Sequence, residues 1–393
     1  MDTPREWLQG LKQRGIRLGL EHIRKALQDI EMPRHVIRVG GTNGKGSVCA
    51  FLGSILRQAG YDVGVNISPE LERLNERITV NNVAINDREL ERHAAQLMKQ
   101  DVELTFFEAM TAIALMHFSG SVDIAILEVG MGGRCDATAA VEADVTVITN
   151  VSLEHMQHLG GTVKDIAREI AGAITGGVVV TACTGPALEV IRRRCRACDA
   201  ALHVVSDDLW EHIEPRHFVV KSVHRYDLET RLAGAYQGQN IALAVKTAEI
   251  LGIDPDSITG GIARAWLPGR LERIDDILLD AAHNPAAMHA LRISLENMGI
   301  RPGCILFGVM RDKDIPGIIR ELPPGDIVAT GMPTPRAADV HALADMLRDA
   351  GRPCHVEENL GRALRRARDI AHDDIILVTG SLRLVGEIRG MLR

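Results

Sequence analysis

Short apolar runs alternate along most of the chain with stretches in which apolar residues recur at helical spacing. Val36, Ile37 and Val39 read as the end of a buried strand, and beyond a glycine-rich turn Val48, Phe51, Leu52, Ile55 and Leu56 keep a helical period. Asp62 to Ile67 predicts a second strand, followed by a polar loop from Ser68 to Ile78. Two helical patterns come next, the second carrying Thr105-Phe106-Phe107-Glu108. Val122 to Val129 is then a near-continuous apolar run of the kind that suits a central parallel strand, and Val145 to Asn150 is another strand. From Gly176 the order is strand, helix, strand. A more polar stretch from Asp207 to His224 reads as short antiparallel strands, and Ala235 to Asn240 opens a further helix. Residues 1–35 read as helical, with Leu18 to Ile23 inside a periodic apolar pattern.

Pro268 and Gly269 mark a change of pattern and hence a domain boundary. Beyond it, Ile277 to Ala281, Cys304 to Val309, Asp326 to Thr330, His355 to Glu357 and Ile375 to Thr379 are predicted strands with helices between. The expected fold is α/β: a large, mostly parallel sheet domain of the P-loop type over residues 1–272, then a smaller α/β domain over residues 273–393.

Composition supports two domains, since 393 residues with 46% apolar and 25% charged side chains exceed one compact core. The net charge of −7 is spread without a basic stripe, which excludes a nucleic-acid surface as the organising feature; Arg192 to Arg194 read as a solvated helix face. No run reaches the length of a membrane span, and Met1 leads into charged residues, so a cytoplasmic protein is expected. Seven cysteines, an odd number in a large chain, point to reduced thiols. Cys195 and Cys198, with Cys183 before and His203 after, leave a zinc site open as an alternative.

The chemistry concentrates at strand ends. Gly40, Gly41, Gly44 and Gly46 clear a loop whose amides can face a phosphate, and the loop ends on a helix N-terminus that favours an anion. Lys45 would reach terminal phosphates, and the Ser47 hydroxyl would sit on magnesium. The string departs from the plain Walker A pattern, because Gly46 separates Lys45 from Ser47. Ser68, held extended by the proline after it, is set to present its hydroxyl towards this site. Glu128 ends the central run beside Gly130, Gly132 and Gly133, where open α/β sheets place ligands, and a carboxylate buried there calls for a cation. His155, following Ser152-Leu153-Glu154 at the next strand end, is a further candidate ligand. Asp280 to Pro285 forms a polar cluster at the corresponding end of the second domain.

The string Gly41-Thr42-Asn43-Gly44-Lys45-Gly46-Ser47 resembles the nucleotide loop of the Mur ligase superfamily and its folylpolyglutamate synthase/dihydrofolate synthase branch. The resemblance extends in order over nearly the whole chain. It takes in Leu18 to Ile23, Ser68-Pro69 with Asn75 to Ile78, Phe106 to Glu108, Leu127 to Arg134 with Asp136 to Thr138, Gln237 with Asn240, Pro268 to Glu272, Asp280 to Pro285, Phe307-Gly308 with Asp312 to Asp314, and Thr379 to Ser381. It implies a Rossmann-like second domain and an ATP-dependent ligase with magnesium, adding L-glutamate to a folate or related pterin acid through an acyl phosphate. It also implies that Ser68, Glu128 and His155 hold magnesium, that Asn240 and Arg270 contact the nucleotide, and that Asp280 and His283 bring the second domain to the reaction. Lys45, His155, Asp280 and His283 are the implied catalytic set, and a monomer is expected.

Two departures stand out. Glu70 follows Ser-Pro where the family commonly has histidine, and Ile170 in Glu169-Ile170-Ala171-Gly172 replaces a family lysine that is carbamylated in relatives and assists with metal. Glu169 or Glu154 are alternative ligands in its place. A ligase acting on another cofactor-precursor carboxylate and an ATP-hydrolysing switch are the alternative functions.

Overall fold

The computed structural model describes residues 3–15, 17 and 19–393. Leu18, part of the predicted N-terminal helical pattern, lies outside the described residues. On either side of it are the helices Pro4–Leu11, closed by a capping box between Thr3 and Glu6, and Glu21–Leu27. The chain divides into two compact units: Met1–Glu211, Val219–Leu228 and Gln239–Ala265 in the first, and His212–Phe218, Glu229–Gly238 and Trp266–Arg393 in the second.

The first unit is built on eight strands: β1 His35–Gly40, β2 Val63–Asn66, β3 Ile78–Val80, β4 Val83–Ala84, β5 Ile124–Glu128, β6 Val145–Ile148, β7 Val178–Thr181 and β8 Ala201–Val204. Their order is β4-β3-β2-β5-β1-β6-β7-β8. The pairs from β2 through to β8 are parallel, and β3 and β4 add an antiparallel hairpin at one edge. Every residue of β5 is buried, as the uninterrupted apolar run requires. The chain leaves β1 towards β2 on one side and later returns to β6 on the other. The loop after β1 therefore lies at a topological switch point, where α/β sheets open a crevice.

Arg38 is the exception to an apolar β1, with no exposed surface. Its guanidinium donates to the carbonyls of Ala173 (2.6 Å), Thr138 (2.9 Å) and Val141. Burial lowers its pKa to about 10, with Asp136 pulling the other way. It ties β1 to the two segments beneath it. Arg38→Met is expected to cost about 2–4 kcal/mol, because three buried carbonyls lose their donor. A denaturant midpoint unchanged from wild type would show that the carbonyls find other partners.

Strands β9 Trp210–Glu214, β10 His217–Lys221 and β11 Arg225–Glu229 make a three-stranded sheet, the first two within the predicted polar stretch and β11 just beyond its end. The second unit carries β12 Glu272–Ile274, β13 Ile277–Leu279, β14 Cys304–Phe307, β15 Asp326–Thr330, β16 Cys354–Glu357 and β17 Ile376–Thr379, in the order β12-β13-β17-β14-β15-β16. Only β12 runs antiparallel, and the other pairs are parallel. Its core is apolar, with Leu278, Ile305, Phe307, Ile327 and Leu377 from the sheet packed with Met288, Leu291, Ile318 and Leu343 from helices. This is the expected α/β class. The pattern along the chain missed β12 and the β3–β4 hairpin, which are too short to show a period.

Candidate active site

The loop between β1 and the helix Lys45–Gln58 is shaped by two glycines that no other residue can replace without strain. Gly41 has φ +126° and Gly44 φ +86°; a Cβ on Gly41 would meet Thr149 Oγ1 at 2.1 Å, and one on Gly44 would meet Asn240 Oδ1 at 2.2 Å. The second contact brings Asn240, 3% exposed on the helix Gln237–Ile250, against the loop. Gly44→Ala is accordingly expected to weaken ATP binding at least tenfold, a factor worth about 1.4 kcal/mol, while leaving the sheet folded. Equal affinity in a fluorescence titration with an ATP analogue would contradict this.

Residues at the end of β6 clamp the same loop. The Thr42 amide donates to Asn150 O (2.8 Å) and the Asn43 amide to Asn150 Oδ1 (3.0 Å). Asn43 O accepts from Thr149 Oγ1 (2.6 Å) and Asn150 Nδ2 (3.1 Å), while Thr42 Oγ1 accepts from the Ser152 amide (3.0 Å). Sequence reading assigned Thr149, Asn150 and Ser152 no such part. The Lys45 ammonium folds back over the loop, donating to Gly41 O (2.9 Å) and Thr42 O (3.0 Å). Gly46 and Ser47 begin the helix, and Ser47 is 2% exposed.

Glu128 ends β5 opposite Val39, one strand from the loop, and is 5% exposed. Its Oε2 accepts from the Ser68 amide at 2.7 Å, so the structure brings Glu128 and Ser68 into direct contact. The Ser68–Pro69 peptide is cis. The glycine-rich segment after Glu128 is pinned by Asp136, which is buried and accepts from the amides of Gly130 (3.0 Å), Met131 (3.1 Å) and Thr138 (3.0 Å) and from Thr138 Oγ1 (2.6 Å). His155 sits in the left-handed region at φ 51° as the first residue before the helix Met156–Leu159. That conformation is costly for a side chain with a Cβ and marks a constrained turn. The turn is held near the loop by Ser152, three residues earlier.

The two departures have structural outcomes. Ile170 is 3% exposed and packs in an apolar cluster with Ile148, Ile166, Ile174 and Val179, close to Gly40. Glu169 beside it is engaged by Arg134, whose Nη2 donates to Oε1 at 2.9 Å. Glu70 pairs with Arg77, and Arg77 lies over the Phe106 ring at 5.1 Å with Lys12 at 4.9 Å from the same ring. The Cys195 thiol is buried in the apolar cluster that also holds Cys183, and all seven cysteines are free. Among the described residues these cysteines are not in the one group whose ligand atoms converge.

In the second unit Asp280 follows β13 and is 4% exposed. Its Oδ2 accepts from Tyr236 Oη (3.0 Å) and the Leu271 amide (3.0 Å), and its Oδ1 from the Ala282 amide (2.9 Å). Burial pushes its carboxyl above the usual aspartate range, against the pull of Arg270 and these donors. Burial and Asp280 push the Tyr236 phenol well up. Tyr236 was not singled out from sequence. Asp280 thus fixes the turn bearing Arg270. His283 directs Nδ1 at Ala281 O (2.8 Å), and Asn284 caps the helix Pro285–Asn297.

Residues 39–248 match the Mur ligase middle domain, and residues 269–382 match the Mur ligase glutamate ligase domain. The dihydrofolate synthase/folylpolyglutamate synthase of Bacillus subtilis is 33% identical over 99% of this chain and 98% of its own length. The chain belongs to the folylpolyglutamate synthase/dihydrofolate synthase family of Mur ligases. Escherichia coli FolC in complex with DHPP and ADP, a member of this family, superposes with a TM-score of 0.91 at 29% identity, covering 100% of this chain and 98% of that one. The Yersinia pestis bifunctional folylpolyglutamate synthase/dihydrofolate synthase complexed with AMPPNP and Mn ion gives 0.88 at 30%, covering 100% and 98%. A further relative, the probable bifunctional folylpolyglutamate synthase/dihydropteroate synthase of Halobacterium salinarum, is 33% identical over 99% of this chain, which spans only 51% of that protein.

The donors gathered at the loop suit the metal expected of this family. Ser47 and Ser68 offer hydroxyls and Glu128 a buried carboxylate, an oxygen-rich set that fits a hard divalent cation such as magnesium.

Proposed function

We propose that the chain is an ATP-dependent ligase that adds L-glutamate to the carboxylate of a folate or related pterin, forming an acyl phosphate and then an amide, with release of ADP and phosphate. The observation that carries this reading is the glycine loop ending on Lys45 and Ser47, one strand away from the Glu128–Ser68 contact. Family membership over the full chain supports it. Gly41 to Ser47 would cradle the nucleotide phosphates, with Lys45 leaving its loop carbonyls to neutralise charge on the transferred group. Asn240, Arg270 and Asp280 would contact the nucleotide, while His283 and His155 complete the assigned catalytic set. Ser47, Ser68, Glu128 and His155 would hold magnesium, which supplies positive charge to phosphoryl oxygens.

We place the protein in the cytoplasm, a reading supported by its seven free cysteines, and as a monomer, which light scattering would test. Among the described residues no helix is long and apolar enough to cross a membrane. The deciding assay measures phosphate release with and without glutamate and a folate, with mass spectrometry for a gain of one glutamyl unit. Release independent of both substrates would replace the ligase with an ATP-hydrolysing switch. Release that needs glutamate and a different acid would move the acceptor outside folates.

Ile170 adds a quantitative expectation. An isoleucine in an apolar cluster supplies no oxygen, so a second magnesium would have fewer protein ligands than in a lysine-bearing relative. Turnover should need more free magnesium than such a relative and ignore added bicarbonate. Stimulation by bicarbonate would show a carbamate formed on another lysine.

A further inference from the structure

A second cluster of ligand-type side chains lies away from the phosphate loop, on the packed helices Asp87–Lys99 and Phe106–Phe118. Glu89 and His93 are four residues apart and share one helix face, and His117 comes from the last turn of the neighbouring helix. One ligand atom from each of the three lies within 4.8 Å of the others. Glu89 Oε2 and His93 Nε2 are 3.9 Å apart, and the two imidazole rings meet edge to face at 5.8 Å. Ligands about 2.1 Å from a tetrahedral metal stand roughly 3.4 Å apart, so small side-chain rotations close the set.

The hydrogen bonding around His93 already has the polarity a metal ligand needs. Gln96 Oε1 can only accept, at 3.3 Å from Nδ1, which places the ring proton there. Arg92 Nη2, 3.1 Å from Nε2, can only donate, so Nε2 carries the lone pair and accepts from Arg92. Metal-bound histidines commonly donate their second N–H to an oxygen in this way. Arg92 also donates to Glu89 Oε2 through Nη2 (2.5 Å) and Nε (3.2 Å). Its guanidinium is therefore a positive group resting on the lone pairs a cation would take, and with its side chain 52% exposed it can swing into water. Burial lowers the pKa of both His93 and His117, with Arg92 reinforcing the shift and Glu89 opposing it.

We propose that Glu89, His93 and His117 form a zinc-class divalent metal site that staples the two helices together, with Arg92 as its competing cation. Two imidazoles and a carboxylate are borderline ligands that select zinc or a similar transition metal over magnesium, unlike the oxygen donors beside the phosphate loop. His93 is 3% exposed while Glu89 and His117 are half-buried, leaving one side open for a water as fourth ligand.

The test is titration of the metal-stripped full chain with zinc in competition with a chromophoric chelator, with fold checked by circular dichroism. Wild type should bind one zinc that is lost on His117→Gln and on Glu89→Gln, each weakening affinity roughly 100-fold or more. Arg92→Ala should bind it more tightly, an outcome that a folding defect cannot mimic. Cys198→Ser and Glu128→Gln should leave this affinity unchanged. Zinc binding that survives both His117→Gln and Glu89→Gln, that disappears with Cys198→Ser or Glu128→Gln, or that is absent from wild type overturns the site.

Discussion

Lys45→Ala is expected to lower kcat/KM for amide formation on the order of a thousandfold or more, the scale seen when a preorganised positive group aimed at a developing charge is removed. The ammonium lies 2.9 Å from Gly41 O and 3.0 Å from Thr42 O, so it is stationed on the loop itself. Lys45→Met keeps the aliphatic stem and isolates the charge. Both variants should fold, because the loop retains its contacts to Thr149, Asn150 and Asn240. Steady-state kinetics with a thermal melt decides the matter. Turnover within a few-fold of wild type in a folded Lys45→Met protein would remove this lysine from the mechanism.

Asp280→Ala should produce the other large effect, and its character discriminates between two roles. The carboxylate satisfies Tyr236 Oη and the amides of Leu271 and Ala282 in a buried setting. Deleting it leaves those donors unpaired and Arg270 without its counter-charge, a loss of about 3–5 kcal/mol. Urea unfolding should show the second unit melting earlier, with activity falling alongside. If activity collapses while the unfolding profile stays at wild type, Asp280 acts on the nucleotide directly and its structural part is small.

The features legible along the chain were those written in consecutive residues. Gly41 to Ser47 shows a phosphate loop because glycines, lysine and serine all occur within one strand-to-helix turn. Glu128 was visible because a carboxylate ended an otherwise unbroken apolar run. Contacts made across a hundred residues or more left no local trace: Asn150 clamping Asn43, Asn240 against Gly44, and Thr138 and Ala173 accepting from Arg38. Asp280 was found as a polar residue at a strand end, but its bond to Tyr236 spans two segments that sequence does not join. Metal-type residues show the same limit. The close cysteine pair at 195 and 198 drew attention through spacing alone, yet the thiols turn into an apolar cluster. Glu89, His93 and His117 converge only because two helices pack.

The clamp on the phosphate loop also sets which amide protons remain for a ligand. Thr42 N–H and Asn43 N–H are already bonded to Asn150, so they face the neighbouring strand. The amides at the start of the helix, from Gly44 onward, remain to meet an anion. In a hydrogen-exchange experiment, Thr42 and Asn43 should therefore be protected even without nucleotide, and added ATP analogue should slow exchange chiefly at Gly44 to Ser47.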